Sequence, residues 1–350
     1  MAKGQTYNHE RIRRTDPTTG VNVLQLSSFP VTSMHVAYYY TGPVNGFTYD
    51  STALVFLSKR SGDRHAPWDL FRVGVDGANL TQLTEHDSIG GIALSPTQQV
   101  AYYYAGGSLR AVDLLTLRDE EIAHEERSAE TALSGYLSPD GRTYLVRCVD
   151  RTGETVLIRH RTDRTETHVI PIGARIRPHS IDMLGRGLFV SVEQEGRWLF
   201  RIMSFEGDLR ERYGWNEFAH SCPLGRSGLW QGCAQMPRRA ILTLGPDQGN
   251  PSLLVEGPYF WHSSASLDGE WIVADTNWPN EGLQLVNVKT RRFRTLLHPH
   301  NSAGHPQWTH PHPMFSPDMK YVAYNSDWTG VGQVWIAEMP RELLDELRNV

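Results

Sequence analysis

Phe315-Ser316-Pro317-Asp318-Met319-Lys320-Tyr321-Val322-Ala323-Tyr324 is a tight turn running into an apolar strand, and the chain repeats it. Leu137-Ser138-Pro139-Asp140-Gly141 leads into Tyr144-Leu145-Val146, and Ser266-Leu267-Asp268-Gly269 leads into Trp271-Ile272-Val273. Leu94-Ser95-Pro96-Thr97 precedes Val100-Ala101-Tyr102-Tyr103. Weaker copies begin at Thr48, Met183 and Gly225. The spacing is roughly 40–50 residues, the scale of one β-propeller blade. Within each copy an alternating second strand follows, such as Leu283-Gln284-Leu285-Val286 or Val334-Trp335-Ile336-Ala337. A polar turn and a third strand complete the unit, as in Val75-Asp76-Gly77 before Leu80-Thr81-Gln82-Leu83. Strand, turn, strand, turn, strand with long connectors is the pattern of a propeller, here with about seven blades.

The pattern predicts an all-β fold, a seven-bladed propeller forming a single domain over residues 1–350. The last copy runs into the C-terminus without its outer strands. Residues 21–31, beginning Val21-Asn22-Val23-Leu24, are expected to supply one and close the ring. Residues 340–350 read as a terminal helix opened by Pro340 in its first turn. A pair of β-sandwiches is the rival architecture, and the persistence of the period argues against it.

Of 350 residues, 39% are hydrophobic and 21% charged, enough for a sizeable core. A net charge of −5 gives no reason to expect nucleic acid or an anionic membrane as partner. An anionic substrate must then be met by local arginines or a metal. The cysteines, Cys148, Cys222 and Cys233, are odd in number and form no Cys-x-x-Cys, which argues against a disulfide framework. No apolar run suggests a signal peptide or a membrane span, so the cytoplasm is the expected location.

Chemistry concentrates in Gln307-Trp308-Thr309-His310-Pro311-His312-Pro313. His310 and His312 are two apart, and in an extended segment they would point the same way. Imidazoles are common ligands of first-row metals, and Gln307 lies close enough to add an oxygen. In a propeller the connectors entering the innermost strands meet at one mouth of the channel. His262 precedes Asp268 by the interval that separates His312 from Asp318, and His179 and His220 fall at nearly matching places. His35 and His86 occupy connectors of earlier blades. His262, His310 and His312 are therefore the expected metal ligands. His179 and His220 remain open as ligands, bases or substrate partners.

With these residues in place, the chain resembles the oligogalacturonate lyases, seven-bladed propeller enzymes of pectin breakdown, over nearly its full length. The resemblance is carried by Asp16-Pro17-Thr18-Thr19-Gly20, Leu80-Thr81-Gln82-Leu83-Thr84-Glu85, and above all Gln307 to Pro313 with Ser326-Asp327-Trp328-Thr329-Gly330. It implies a manganese ion, or another first-row divalent metal, held by His262, Gln307, His310 and His312. It implies His220 as catalytic base and Arg197 as catalytic arginine. Arg201 is the rival to Arg197 and, with His35 and His179, an expected substrate contact.

The implied reaction is β-elimination on short uronate oligosaccharides, with the metal on the C6 carboxylate and a histidine removing the C5 proton. For such a substrate Trp261, Trp308, Tyr38, Tyr39 and Tyr40 are candidates to stack on sugar faces. Two alternatives are the same chemistry on another acidic or oxidised glycoside, and a non-catalytic propeller that binds protein partners.

Overall fold

The repeated turn of the sequence is one local structure in all seven copies. In each, a backbone N–H bonds the carbonyl five residues on. The pairs are Thr48–Ala53, Ser95–Val100, Ser138–Thr143, Asp182–Gly187, Leu224–Leu229, Ser266–Trp271 and Ser316–Tyr321, at 2.8–2.9 Å. At Ser316 the hydroxyl donates to Asp318 Oδ1 at 2.8 Å and accepts the Tyr321 N–H at 3.0 Å. Ser266 and Ser138 do the same with Asp268 and Asp140. Ser-x-Asp recurs because serine and aspartate satisfy turn amides locally, which fixes the hairpin between first and second strands.

The computed structural model describes residues 2–349 apart from 9, 37–45, 60, 62, 64, 126, 127, 305 and 306. For 128–134 and 307 it describes the backbone alone. The fold is a seven-bladed β-propeller. Blades two and three share one eight-stranded sheet because their innermost strands, Gly90–Leu94 and Ser128–Leu137, pair in parallel at Ile92 and Ser134. The other five blades are separate antiparallel sheets. The seventh contains Met314–Phe315, Tyr321–Ser326 and Gln333–Glu338, followed outward by Asn22–Gln25 and Ile12–Thr15 from the other end of the chain. Val23, Leu24 and Gln25 sit opposite Ala337, Ile336 and Trp335. The terminal helix spans Arg341–Arg348, with Pro340 at its N-cap rather than inside the first turn. Among the described residues, no helix is long and apolar enough to cross a membrane.

Each blade is a twisted sheet whose two faces pack on its neighbours, so the core runs between blades. Large rings fill the wedges. Phe189 of the fourth blade stacks on Trp230 of the fifth, centroids 3.5 Å apart and planes 7° from parallel. Both are fully buried. Trp230→Ala should therefore cost about 3–5 kcal/mol, the usual range for deleting a buried large aromatic. Urea denaturation would show it as a lowered midpoint with little change in slope.

Candidate metal centre

The innermost strands at one mouth carry the histidines, and they are irregular where the histidines sit. In the fourth blade the register slips between Pro178 and Ser180, around His179. In the fifth it slips between Phe218 and His220, and in the sixth between Phe260 and Ser263, around His262. A bulge inserts one residue, bends the strand and re-aims its side chain. Here it lifts imidazoles out of the blade's inward–outward alternation. Gly232 makes the bulge at His220 possible: a Cβ there would lie 2.0 Å from the His220 carbonyl oxygen.

Three segments bring four imidazoles together. His262 and His312 stack with centroids 3.7 Å apart, His262 and His310 lie at 5.5 Å, and His310 and His312 at 6.1 Å. His220 joins from the neighbouring blade, 4.5 Å from His262. His262, His310 and His312 are all buried. Burial pushes the pKa of His262 and His312 well below the ordinary imidazole value, with like charge on the neighbouring rings adding to it. Burial also lowers His220, partly opposed by its bond to the Trp261 carbonyl. Neutral imidazoles are the form that ligates metals.

Asp275 organises the cluster from behind. Its Oδ1 accepts the His262 N–H at 2.7 Å, and its Oδ2 accepts the His312 N–H at 3.1 Å. Oδ2 also lies 2.8 Å from His262 Nδ1. One carboxylate thus ties the sixth blade to the His310-Pro311-His312 segment. A carboxylate on Nδ1 fixes the tautomer that carries its lone pair on Nε2, the arrangement found behind metal-bound histidines. Burial raises the Asp275 carboxyl to about 7, against the bonds from His262 and His312. His312 has φ +45, a left-handed backbone uncommon outside glycine, directly before Pro313. The segment is thus not the extended run expected from His310 and His312, yet the rings still converge.

Imidazoles backed by a buried carboxylate are donors of the kind that first-row divalent ions take. Among the described residues, however, no three His, Cys, Asp or Glu side chains are placed where they could hold an ion together. His310 Nε2 lies 3.1 Å from the Gly304 carbonyl oxygen, and His220 Nδ1 is bonded to that of Trp261.

No family model matches the chain. It aligns over 399 residues with the oligogalacturonate lyase of Dickeya dadantii at 24% identity, covering 97% of this chain and 99% of that one. The oligogalacturonide lyase of Pectobacterium atrosepticum matches at 24% over 401 residues with the same coverage. A solved structure described as oligogalacturonate lyase in complex with manganese superposes with TM-score 0.79 at 21% identity, covering 98% of this chain and all of that one. The Vibrio parahaemolyticus oligogalacturonate lyase gives 0.78 at 18% identity, over 98% of this chain. In sequence and in fold the chain is similar to the oligogalacturonate lyases.

Beyond the imidazole cluster, the chain places its expected site residues unevenly. The Gln307 side chain lies outside the described residues, as do Tyr38, Tyr39 and Tyr40; the Gln307 backbone opens a short 3-10 turn. Arg197 sits exposed at the turn between the second and third strands of its blade, its guanidinium 4.0 Å over the Trp215 ring. Arg201 is spent on the outermost strand, bonding the Leu209 and Arg210 carbonyls.

His35, also expected to touch substrate, is fully buried, and its Nε2 lies 3.2 Å from the Pro311 carbonyl. That contact braces the His310–His312 segment, and burial lowers the pKa of His35 to about 4. His179 bonds Ser191 Oγ at 2.8 Å and packs edge-on against Phe200. Trp308 packs edge-on against Trp68. Asp275 and Gly232 went unnoticed in the sequence. The acid had a signal, since Val273-Ala274-Asp275-Thr276 puts a carboxylate inside an otherwise buried strand.

Proposed function

We propose that the chain is a metal-dependent lyase that cleaves short uronate oligosaccharides, oligogalacturonides first among them, by β-elimination. The observation that carries this reading is the gathering of His220, His262, His310 and His312 from three separate segments onto one carboxylate-backed spot. The names of the relatives and the manganese complex of one of them support the substrate class and the metal.

His262, His310 and His312 would hold the ion, with Gln307 as an oxygen donor. A bound divalent cation supplies Lewis-acid charge compensation at the C6 carboxylate of the substrate. His220 is set up as the base. A carbonyl oxygen only accepts, so its bond to Trp261 puts the proton on Nδ1 and the lone pair on Nε2. Nε2 takes the C5 proton, the C4–O4 bond breaks, and a C4–C5 double bond forms while O4 takes a proton from water. Arg197, at the same end of its blade, would pair with a further substrate carboxylate; a guanidinium fork matches carboxylate geometry.

The new double bond absorbs in the ultraviolet, which gives the assay. Incubation with trigalacturonate and manganese should give a steady rise in absorbance. Chelation should bring the rate to baseline. Manganese should restore it better than magnesium, which prefers all-oxygen sites and sheds water reluctantly. No rise with any uronate oligomer in the presence of manganese would discard the reading.

A further inference from the structure

Next to the imidazole cluster stands an aromatic stair that the elimination chemistry does not use. Trp261 lies in the innermost strand of the sixth blade, with its ring centroid 4.6 Å from that of His220. Trp278, in the loop after that blade's second strand, is 5.2 Å further on, and Tyr259 lies 5.5 Å from Trp261 and 5.9 Å from Trp278. Burial changes along the stair. Tyr259 is buried, Trp261 is partly covered, and Trp278 is 60% exposed.

A single exposed apolar side chain needs no explanation. Trp278 differs in three respects. It is the one tryptophan among the exposed large hydrophobic residues described. Its backbone has φ +46, which is costly for a bulky side chain and is held by the bond from its own N–H to Asn277 Oδ1 at 3.1 Å. Asn277 is itself fixed, its N–H donating to the Tyr259 carbonyl at 3.0 Å. Its ring also continues an aromatic surface that ends at His220.

The geometry points to a sugar-stacking subsite on Trp278, rimmed by Trp261 and Tyr259, which holds a pyranose ring flanking the one attacked at His220. This rests on the proposed oligosaccharide substrate and adds the residue that selects for its length. Two aromatic steps separate Trp278 from His220, so an oligomer lying along the stair puts one ring at the imidazoles and its neighbour over the indole. An indole offers a flat apolar face to the C–H face of a pyranose and loses little entropy in doing so. The oligomer is the occupant because the stair leads to the imidazoles.

The test is kinetics on trigalacturonate with manganese, for wild type, Trp278→Ala and Trp278→Phe. Trp278→Ala should raise KM about tenfold and leave kcat within about twofold, since stacking acts equally on ground and transition states. Trp278→Phe, which keeps a ring face, should recover most of the loss. An unchanged KM in Trp278→Ala, or a fall in kcat alone, overturns the subsite. If the wild type cleaves no uronate, tryptophan fluorescence titrated with trigalacturonate under chelation separates the two ideas. A saturable change lost in Trp278→Ala keeps the subsite without the lyase, and no saturable change in the wild type overturns it.

Discussion

Replacing His220 with alanine should abolish elimination while leaving bound metal near the wild-type content. Losing a positioned general base costs about 10²–10⁴-fold in rate. The separation of effects follows from the geometry. His220 comes from a different blade than the histidines tied to Asp275, and its Nδ1 is committed to the Trp261 carbonyl. Its ring also lies 4.6 Å from Trp261, so the substitution leaves a gap beside a partly covered aromatic rather than a hole in the blade core. The propeller should persist, and circular dichroism would check that. Metal analysis beside the ultraviolet assay reads both quantities at once. Loss of metal in this variant would make His220 a ligand instead of the base.

Asp275→Asn should weaken metal binding by about 10–100-fold, the usual cost of removing a carboxylate behind a metal-bound histidine. The exchange keeps the shape, so packing is undisturbed. It changes what the side chain can accept. Asp275 takes the N–H groups of both His262 and His312 and faces His262 Nδ1. An amide has one oxygen for these donors. Wherever its NH₂ meets His262 Nδ1, it favours the tautomer protonated on Nε2, which removes the donor lone pair. Titration with manganese should show the weaker site, and excess manganese should recover part of the activity. Tight binding in Asp275→Asn would mean the carboxylate only braces the backbone.

The propeller was legible because its signal is local and repeated. Seven copies of one turn, three of them with Ser-x-Asp, needed no knowledge of long-range pairing. The histidines were legible through their place in the repeat: His262 and His312, matched by interval alone, stack at 3.7 Å. What escaped detection depended on one-residue register slips and on hydrogen bonds between distant segments. The bulges around His179, His220 and His262 leave no mark in an apolar alternation, because one inserted residue reads as noise over so short a strand. The left-handed backbone of His312 is equally invisible beside a proline that favours extended neighbours. His35 lies in a connector, as its place in the repeat implies, but its full burial against the Pro311 carbonyl was not legible, since sequence gives the blade position and not the depth of the side chain. Arg201 could not be told from Arg197, as the two share a strand and only the fold shows which one bonds the outer strand's carbonyls.

Anomalous scattering from crystals soaked in manganese tests the central claim, that these imidazoles gather around one cation. A single strong peak is expected within bonding distance of His262, His310 and His312, with His220 nearby but not ligating. A map without a peak there, or with manganese bound elsewhere while these rings keep their hydrogen bonds, would contradict it.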